Sequence, residues 1–403
     1  MVLLHTDKKN DVLNSMINII DRERTTIIKA NQHDLEAFDK DDQALYDRLV
    51  VNTAKVDGMI QAIKEVRDQE DPVGTIISDM TLDSGLQITN KTAPFGTIMI
   101  IYESRPDVTI EAAVLAFKAN NKILLKGGKE AINSNLILEK CWHEALEENG
   151  ISKDWIKLLH LKREETQGFL RNPTEKIDLI VPRGGERLIK FVKEHATCAV
   201  LISGRGNNFL YVSKQADWEK AVNVIINAKT DKISGCNALD KVLINKNIPD
   251  YEVKVKELQK TLNYVGVSLV VDNKIGQILT NETQIPNEDT WYEEFLAMKL
   301  LVAEVNGLEE VITKINTYSG GHSSTIMTEN KNEAATFMQE IDSAAVYHNA
   351  STRFTDGGQM GVGAELAIST DKLHHRGPLG LKQLVTNKYY VFGDGHVRVD
   401  ILI

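Results

Sequence analysis

The sequence predicts an α/β protein built from two doubly wound domains and a small extra β element. Three observations carry that expectation. Short apolar runs that read as parallel strands alternate with amphipathic stretches that read as helices along most of the chain. A small-residue turn near residue 235 breaks the alternation, which then resumes. The segments 78–93 and 381–403 alternate with period two instead, as antiparallel strands do. At 403 residues the chain is too long for one simple core, and 42% hydrophobic with 26% charged residues is ordinary globular composition.

The elements follow in order. "DVLNSMINIIDRERTTIIKANQHDLEAF" sets Val12, Met16, Ile19 and Ile20 on one stripe, so the start is helical, and helix continues to about Val66. "SDMTLDSGLQITNKTAPFG" is punctuated by Gly85 and Asn90 and reads as a hairpin leaving the main body. "TIMIIY" from Thr97 is a continuous apolar run, as a parallel strand covered on both faces requires. "DVTIEAAVLAFKAN" is a helix, "KILLK" a strand, and a further helix spans about Glu130 to Glu148. "WIKLLHL", "KIDLIVP" and "AVLIS" are the later strands, and "DWEKAVNVIINAKT" is a helix. After Cys236 come the strands "KVLIN", "GVSLVV", "KLLVAEV", "STIMT" and "AAVYHN", with helices between them. The tail "LVTNKYYVFGDGHVRVDILI" reads as a strand pair around Gly393-Asp394-Gly395. The expected domains are 1–228, carrying the hairpin, then 229–380, then the C-terminal strands 381–403. That last segment and 78–93 together are the expected oligomerisation element.

Composition excludes several classes. A formal charge of −10 argues against binding a nucleic-acid backbone. Three cysteines without CxxC spacing make neither a disulfide framework nor a zinc site, and they suit a reducing compartment. No apolar run is long enough for a signal peptide or a membrane span, so a cytoplasmic protein is expected.

Three strand ends carry candidate ligand-binding residues. "YESRPDVT" offers Ser104, Arg105 and Pro106, "LLKGGKEA" offers Lys126, Gly127 and Gly128, and "VPRGGERLI" offers Arg183, Gly184 and Gly185. In each, a strand runs into a turn that opens a helix, where backbone N–H groups and the helix dipole favour an anion. Taken singly, such glycines also fit any α/β turn. None of these turns is GxGxxG and no Walker sequence is present, so ATP chemistry is disfavoured.

Cys141, inside a helix, and Cys198, at a strand start, read as small core residues. Cys236 lies between Gly235 and Asn237, after a helix and before a strand. A nucleophilic thiol needs access and nearby backbone N–H groups, which a turn supplies. Local sequence alone leaves the choice between nucleophile and turn residue open.

"YESRPDVTIEAA", "LLKGGKEAINSN", "VPRGGERLI", "NAKT" with "CNALDKVLI", and "NASTRFTDGGQMGVGAELAIST" with "LHHRGPLGLKQL" occur in this order. Together they closely resemble the γ-glutamyl phosphate reductase family, within the wider aldehyde dehydrogenase superfamily. The resemblance implies an aldehyde-dehydrogenase-like fold and NADPH-dependent reduction of L-glutamyl 5-phosphate to L-glutamate 5-semialdehyde, a step of proline biosynthesis. It implies Cys236 as nucleophile, with the turns above holding NADPH. Asn237, Asn349, Ser351, Thr352 and Arg353 would meet the substrate, Arg353 as a carboxylate fork. Glu294 in "YEEFLAMKLLV" would contact the nicotinamide ribose, although Glu293 is adjacent, and Trp291 and Tyr292 would pack.

The hairpin and the strand-like tail are expected to join copies of the chain as a homo-oligomer, a separate glutamate 5-kinase is a transient partner on which the sequence is silent, and the scattered histidine spacing suggests no metal. Aldehyde-oxidising relatives carry a water-activating Glu where this chain has Ile202-Ser203-Gly204, and a thioester awaiting hydride gains nothing from such a base. The same loop departs from the reductase pattern of His-Gly-x-Gly, so no role is carried over to Arg205 or its neighbours. His322, His348, His374 and His375 read as structural. The competing readings are another acylating aldehyde dehydrogenase and a non-catalytic nucleotide-binding member.

Overall fold

The computed structural model describes residues 2–38, 43–279 and 281–398. It divides into two compact units. The first comprises Met1–Leu201, Val362–Ala367 and Leu379–Ile403, and the second Ile202–Gly361 and Ile368–Pro378.

The first unit opens with helices α1 (Thr6–Arg22), α2 (Arg24–Glu36), α3 (Gln43–Leu49) and α4 (Thr53–Asp68). Val12, Leu13, Met16, Ile19 and Ile20 of α1 are buried, which is the stripe read from the sequence. Two strands, β1 (Ile76–Thr81) and β2 (Gln87–Pro94), form the expected hairpin. The parallel sheet follows as β3 (Thr97–Tyr102), β4 (Lys122–Lys126), β5 (Ile156–Leu158), β6 (Leu179–Arg183) and β7 (Ala199–Val200), in the order β5-β4-β3-β6-β7. Its connecting helices are α5 (Pro106–Lys118), α6 (Ile132–Glu148), α7 (Arg163–Arg171) and α8 (Glu186–His195). β3 is buried from Ile98 to Tyr102, as a strand covered on both faces must be. Strand order reverses between β3 and β6, so their carboxyl ends flank a topological switch point.

The second unit has one seven-stranded parallel sheet. Its members are β8 (Asn208–Val212), β9 (Leu239–Asn245), β10 (Ser268–Val271), β11 (Thr283–Gln284), β12 (Lys299–Val305), β13 (Ser323–Met327) and β14 (Ala345–His348). They lie in the order β11-β10-β12-β9-β8-β13-β14. The helices are α9 (Trp218–Thr230), α10 (Tyr251–Tyr264), α11 (Asn273–Ile278), α12 (Asp289–Tyr292), α13 (Leu308–Tyr318) and α14 (Lys331–Glu340). A short ribbon, β15 (Ile368–Ser369) with β16 (Gly377–Pro378), completes the unit.

The expected boundary at residue 228 moves back to 201/202. The cause is β8, "NFLYV", a strand that the sequence reading did not place. It pairs with β9 and β13 and brings α9 into the second unit with it. The expected third domain does not stand apart either. β17 (Val385–Phe392) pairs with β2 from Val385↔Pro94 to Phe392↔Gln87, so 78–93 and the tail share one antiparallel sheet within the first unit.

The tail forms one strand among its described residues, rather than a pair. After Phe392 the chain turns, and His396 Nδ1 accepts from the Asp394 N–H at 2.9 Å. His396 Nε2 donates to the Ser84 carbonyl at 2.7 Å, which draws the tail onto the hairpin's turn. Residues 399–403 of the expected second strand lie outside the described residues. Among the described residues no helix is long and apolar enough to cross a membrane.

Candidate active site

Cys236 is half-buried in the turn that enters β9. The turn is held by an asparagine that begins β8. Asn208 Nδ2 lies within hydrogen-bond range of the carbonyls of Gly206 at 2.9 Å, Cys236 at 2.8 Å and Ala238 at 2.6 Å. Its Oδ1 accepts from the Ser323 N–H at 3.0 Å, at the start of β13. One buried amide therefore ties three chain segments together, and Asn208 has no exposed surface. Gly206 is required by close approach. A Cβ there would strike the Cys236 carbonyl, and it would lie 2.6 Å from Cys236 Cα and 2.5 Å from Glu294 Oε1. The structure thus distinguishes the two neighbouring glutamates. Glu294 reaches the Cys236 turn, whereas Glu293 is exposed and its carboxylate lies 4.0 Å from Lys299 Nζ.

The segment after β14 returns along β13 to the same turn. The Ala350 carbonyl accepts from Thr325 Oγ1 at 2.8 Å, and farther on Thr355 Oγ1 meets Ser323 Oγ at 2.7 Å. Thr352 Oγ1 donates to the Asn237 carbonyl at 2.7 Å, while Asn237 Nδ2 donates to the carbonyls of Arg353 at 3.1 Å and Thr355 at 2.9 Å. Asn237 Oδ1 is buried without a hydrogen-bond partner. Ser351 Oγ caps the following short helical turn by accepting from the Arg353 N–H at 3.3 Å.

Arg353 Nε pairs with Asp231 at 2.9 Å, and a Cβ on Gly235 would lie 2.8 Å from Arg353 Nη1. The expected carboxylate fork therefore sits beside Cys236 with one nitrogen already engaged by its own chain. Asn349 is not brought there. It leaves the carboxyl end of β14 at φ +53°, and both ends of its amide bond the Thr328 backbone, at 2.9 and 3.0 Å. The sequence reading grouped Asn349 with Arg353, but the returning chain carries the two to opposite ends of β13.

Buried donors support the segment that presents Glu294. Lys241 Nζ donates to the Glu293 carbonyl at 2.7 Å and lies 3.8 Å from the Phe295 ring centroid. Asp240 Oδ2 accepts from the Phe295 N–H at 3.0 Å, and its other oxygen pairs with Lys229 at 2.9 Å, both groups fully buried. Burial pushes the Lys241 ammonium down to about 7. Trp291 and Tyr292 pack against Tyr318, as expected.

In the first unit the three strand-end turns are unequal. Gly127 and Gly128 lead into a short 3₁₀ turn, Lys129–Ala131, and only then into α6. The first N–H groups of α6 are not open to an anion. Asp34 accepts from the Asn133 N–H at 3.0 Å and from the Ser134 N–H at 2.8 Å. This corrects the expectation for that turn, and its cause is a carboxylate remote in sequence.

Gly185, by contrast, caps α8 directly, and a Cβ there would meet nothing within 4 Å. Its N–H donates to the exposed Glu103 at 3.2 Å. Ser104 holds φ +40°, and its N–H and Oγ both donate to Glu130 at 2.7 Å. Arg105 reaches Asp107, and Pro106 is the first residue of α5. Lys126 Nζ donates to the Gly127 carbonyl at 2.7 Å, and burial lowers its pKa. Arg183 ends β6.

A dinucleotide would fit at the β3–β6 switch point and the α8 N-terminus, where the Gly185 N–H now bonds Glu103. Asn135 Nδ2 also lies buried and unpartnered against Gly127, where a Cβ would strike it. An anion at α8 must displace the Glu103 carboxylate. Lys126, Arg183 and the glycine turns are the residues that would hold the cofactor.

The remaining cysteines are at least half-buried, His322, His348 and His375 each lie within hydrogen-bond range of a neighbouring hydroxyl or carbonyl, and His374 is exposed at φ +68°. Cys141 is buried in α6, and burial pushes its thiol up to about 12. Cys198 is half-buried and also raised. His348 Nε2 meets the Thr328 carbonyl and His375 Nε2 the Pro378 carbonyl, at 2.8 and 3.0 Å. His322 is fully buried, with Nδ1 2.7 Å from Ser323 Oγ and Nε2 unpartnered, and burial lowers its pKa to about 4. The sequence reading did not foresee Asn208, Asp34, Glu103 or Glu130. For Asn208 and Glu103 the available signal was a polar residue opening an apolar strand or a carboxylate just after one, whereas Asp34, inside α2, carried none.

The sequence matches the aldehyde dehydrogenase family over residues 4–286 and 278–365. It is 41% identical over 405 residues to the γ-glutamyl phosphate reductase of Persephonella marina, covering 98% of this chain and 91% of that protein. The crystal structure of the γ-glutamyl phosphate reductase of Thermotoga maritima superposes with a TM-score of 0.93 at 40% identity, covering 98% of this chain and 95% of that one. The fold is shared with a glyceraldehyde-3-phosphate dehydrogenase of Methanocaldococcus jannaschii solved with NADP, at a TM-score of 0.66 and 16% identity, over 97% of this chain and 90% of that one. The chain belongs to the aldehyde dehydrogenase family, and within it to the γ-glutamyl phosphate reductases.

Proposed function

We propose that this chain reduces L-glutamyl 5-phosphate to L-glutamate 5-semialdehyde and phosphate, using NADPH and a thioester on Cys236. The observation that carries the mechanism is the Cys236 turn, fastened at its carbonyls by Asn208 and crowded by Glu294 and Arg353. The Cys236 thiolate attacks the acyl carbonyl, the C–S bond forms, and the C–O bond to phosphate breaks. Bound NADPH supplies the hydride that converts the thioester to the aldehyde level. The C–S bond then breaks, the aldehyde leaves, and the thiolate is restored. Asn208 and Thr352 keep the turn fixed while the carbonyl carbon changes geometry, which is positioning rather than chemistry.

The first unit is the cofactor domain in this reading and the second the catalytic one. Exposed apolar residues on the three-stranded sheet, including Ile77, Met80, Tyr389, Val391 and Phe392, support a role for it in joining copies of the chain. A separate glutamate 5-kinase would supply the labile acyl phosphate.

The reverse assay tests the reading. Purified protein receives L-glutamate 5-semialdehyde, phosphate and NADP, and NADPH absorbance is followed. Phosphate-dependent NADPH formation is expected. Its absence from folded protein overturns the assignment, and formation of glutamate without phosphate points to a hydrolysing dehydrogenase instead.

A further inference from the structure

We infer that Asp231, at the C-terminal end of α9 and paired with Arg353, takes the α-ammonium of the substrate while the Arg353 guanidinium takes its α-carboxylate. The inference rests on the substrate class proposed above. It adds Asp231 to the residues that recognise the amino-acid head, and every group involved belongs to the second unit.

Asp231 ends α9, and its own N–H bonds the Asn227 carbonyl at 3.3 Å. A carboxylate is out of place there. The last carbonyls of a helix carry partial negative charge, so helix stability favours a cation at this end over an anion, typically by about 0.3–1 kcal/mol. α9 does carry Lys229 in its last turn, but that ammonium is fully buried and turned to Asp240. Asp231 is 53% exposed, and its Oδ2 accepts from Arg353 Nε at 2.9 Å. The bond runs through the side of the guanidinium. Nη1 is turned to Gly235, where a Cβ would lie 2.8 Å from it. Asn237 Oδ1 lies 2.8 Å from the same Cβ position and is buried without a hydrogen-bond partner. A buried acceptor left alone costs about 1–3 kcal/mol. The Cys236 turn is therefore bordered by a guanidinium edge, an exposed carboxylate and an acceptor that lacks a donor.

The chemistry selects the ligand. The planar guanidinium suits a carboxylate. An ammonium offers three donors, which suit the Asp231 oxygens and the unpartnered Asn237 oxygen, and the C-terminal end of α9 favours the same charge. Phosphate alone would be drawn to Arg353 and repelled by Asp231. A zwitterionic head satisfies both signs at once. The spacing agrees. Three carbon–carbon bonds separate the reacting carbonyl carbon of the substrate from the α-carbon that carries both charges, about 4 Å when extended. Adjacent Cα atoms are ~3.8 Å apart, so a head held beside Gly235 brings the carbonyl to Cys236.

The test is selectivity among aldehydes in the phosphate-dependent reverse reaction. L-glutamate 5-semialdehyde is compared with 5-oxopentanoate, which lacks only the ammonium, and with butanal, which lacks both charges. Asp231→Asn, at an exposed position that should not impair folding, is expected to lower kcat/KM for the semialdehyde about 10- to 100-fold, as loss of one charged hydrogen bond implies. With 5-oxopentanoate the same variant should stay within about twofold of wild type. Arg353→Gln is expected to lower kcat/KM for both charged aldehydes and to spare butanal. A semialdehyde kcat/KM that Asp231→Asn leaves unchanged overturns the inference. So does an equal fall with 5-oxopentanoate, which is what a salt bridge that only steadies Arg353 would give. If wild-type protein shows no phosphate-dependent reaction, the functional reading fails separately. Calorimetric titration with L-glutamate against glutarate then decides the head site alone. A preference for L-glutamate that Asp231→Asn abolishes supports it, and any other result overturns it.

Discussion

The two parallel sheets place their candidate site residues at opposite strand ends. In the first unit the candidate ligand groups lie at the carboxyl ends of β3, β4 and β6, where each chain segment runs into a helix. In the second unit Cys236 lies at the amino end, where segments enter β8, β9 and β13. The difference is one of hydrogen-bonding sign. A helix N-terminus exposes N–H donors, so the first unit meets it with carboxylates: Asp34 on α6 and Glu103 on α8. The loops feeding strands in the second unit present carbonyls, so they are met by donors. Asn207 bonds the carbonyls of Trp291 and Tyr318, Asn208 those around Cys236, Asn237 those of Arg353 and Thr355, and Lys241 that of Glu293. One end of a parallel sheet suits anions, and the other suits a nucleophile held by its own backbone.

Substitutions can break each side of that contrast. The largest effect is expected from Cys236→Ser, which should lower turnover by about 10³-fold or more while leaving cofactor binding intact. Cys141→Ser and Cys198→Ser should stay near wild-type rates, and rates that fall equally for all three would place the nucleophile elsewhere. Next comes Asn208→Asp, which sets an acceptor against three carbonyls. It should cost roughly 3 kcal/mol in denaturant unfolding and about 10²-fold in kcat, through misplacement of Cys236. Retained kcat would show that the turn holds itself.

His322 gives a pH-dependent test of the donor-rich end. Its folded pKa of about 4 lies below the ordinary 6.5, so between those values the unfolded chain binds the proton and the folded chain does not. Stability should therefore fall as pH drops from 6.5 to 4, by roughly 3 kcal/mol from this group. His322→Asn should lack that component when unfolding is measured across the window. The smallest effect belongs to the acceptor-rich end. Glu103→Gln removes the charge at the α8 N-terminus and should tighten NADPH binding by about two- to fivefold, read by fluorescence titration. Weaker binding would mean that Glu103 organises the cofactor instead of excluding it.

Most of the fold was legible because buried parallel strands and amphipathic helices carry strong periodicity. "TIMIIY" and the α1 stripe are plain examples. "NFLYV" escaped because it follows a glycine-rich loop that drew attention as a site, and a strand this short carries little pattern. Losing it displaced a domain boundary. In the site, local sequence left Cys236 open and the family resemblance singled out Cys236 and "NASTRF"; the structure gathers Thr352 and Arg353 beside the cysteine. The capping carboxylates and Asn208 did not stand out. Their meaning lies in which backbone groups they face, and Asp34 faces residues about one hundred positions away. Asn349 shows the reverse error, in which sequence adjacency implied a shared task that the returning chain divides.

The three-stranded sheet carries a consequence for how the protein is made. β2 lies between β1 and β17, yet β17 is the last strand in sequence among the described residues. Throughout synthesis of the second unit, β2 keeps one ladder edge unfilled and "ITNKTAP" waits for its partner. The first unit is thus begun first and closed last. A chain cut short before Val385 would carry the Cys236 turn and an open edge on β2.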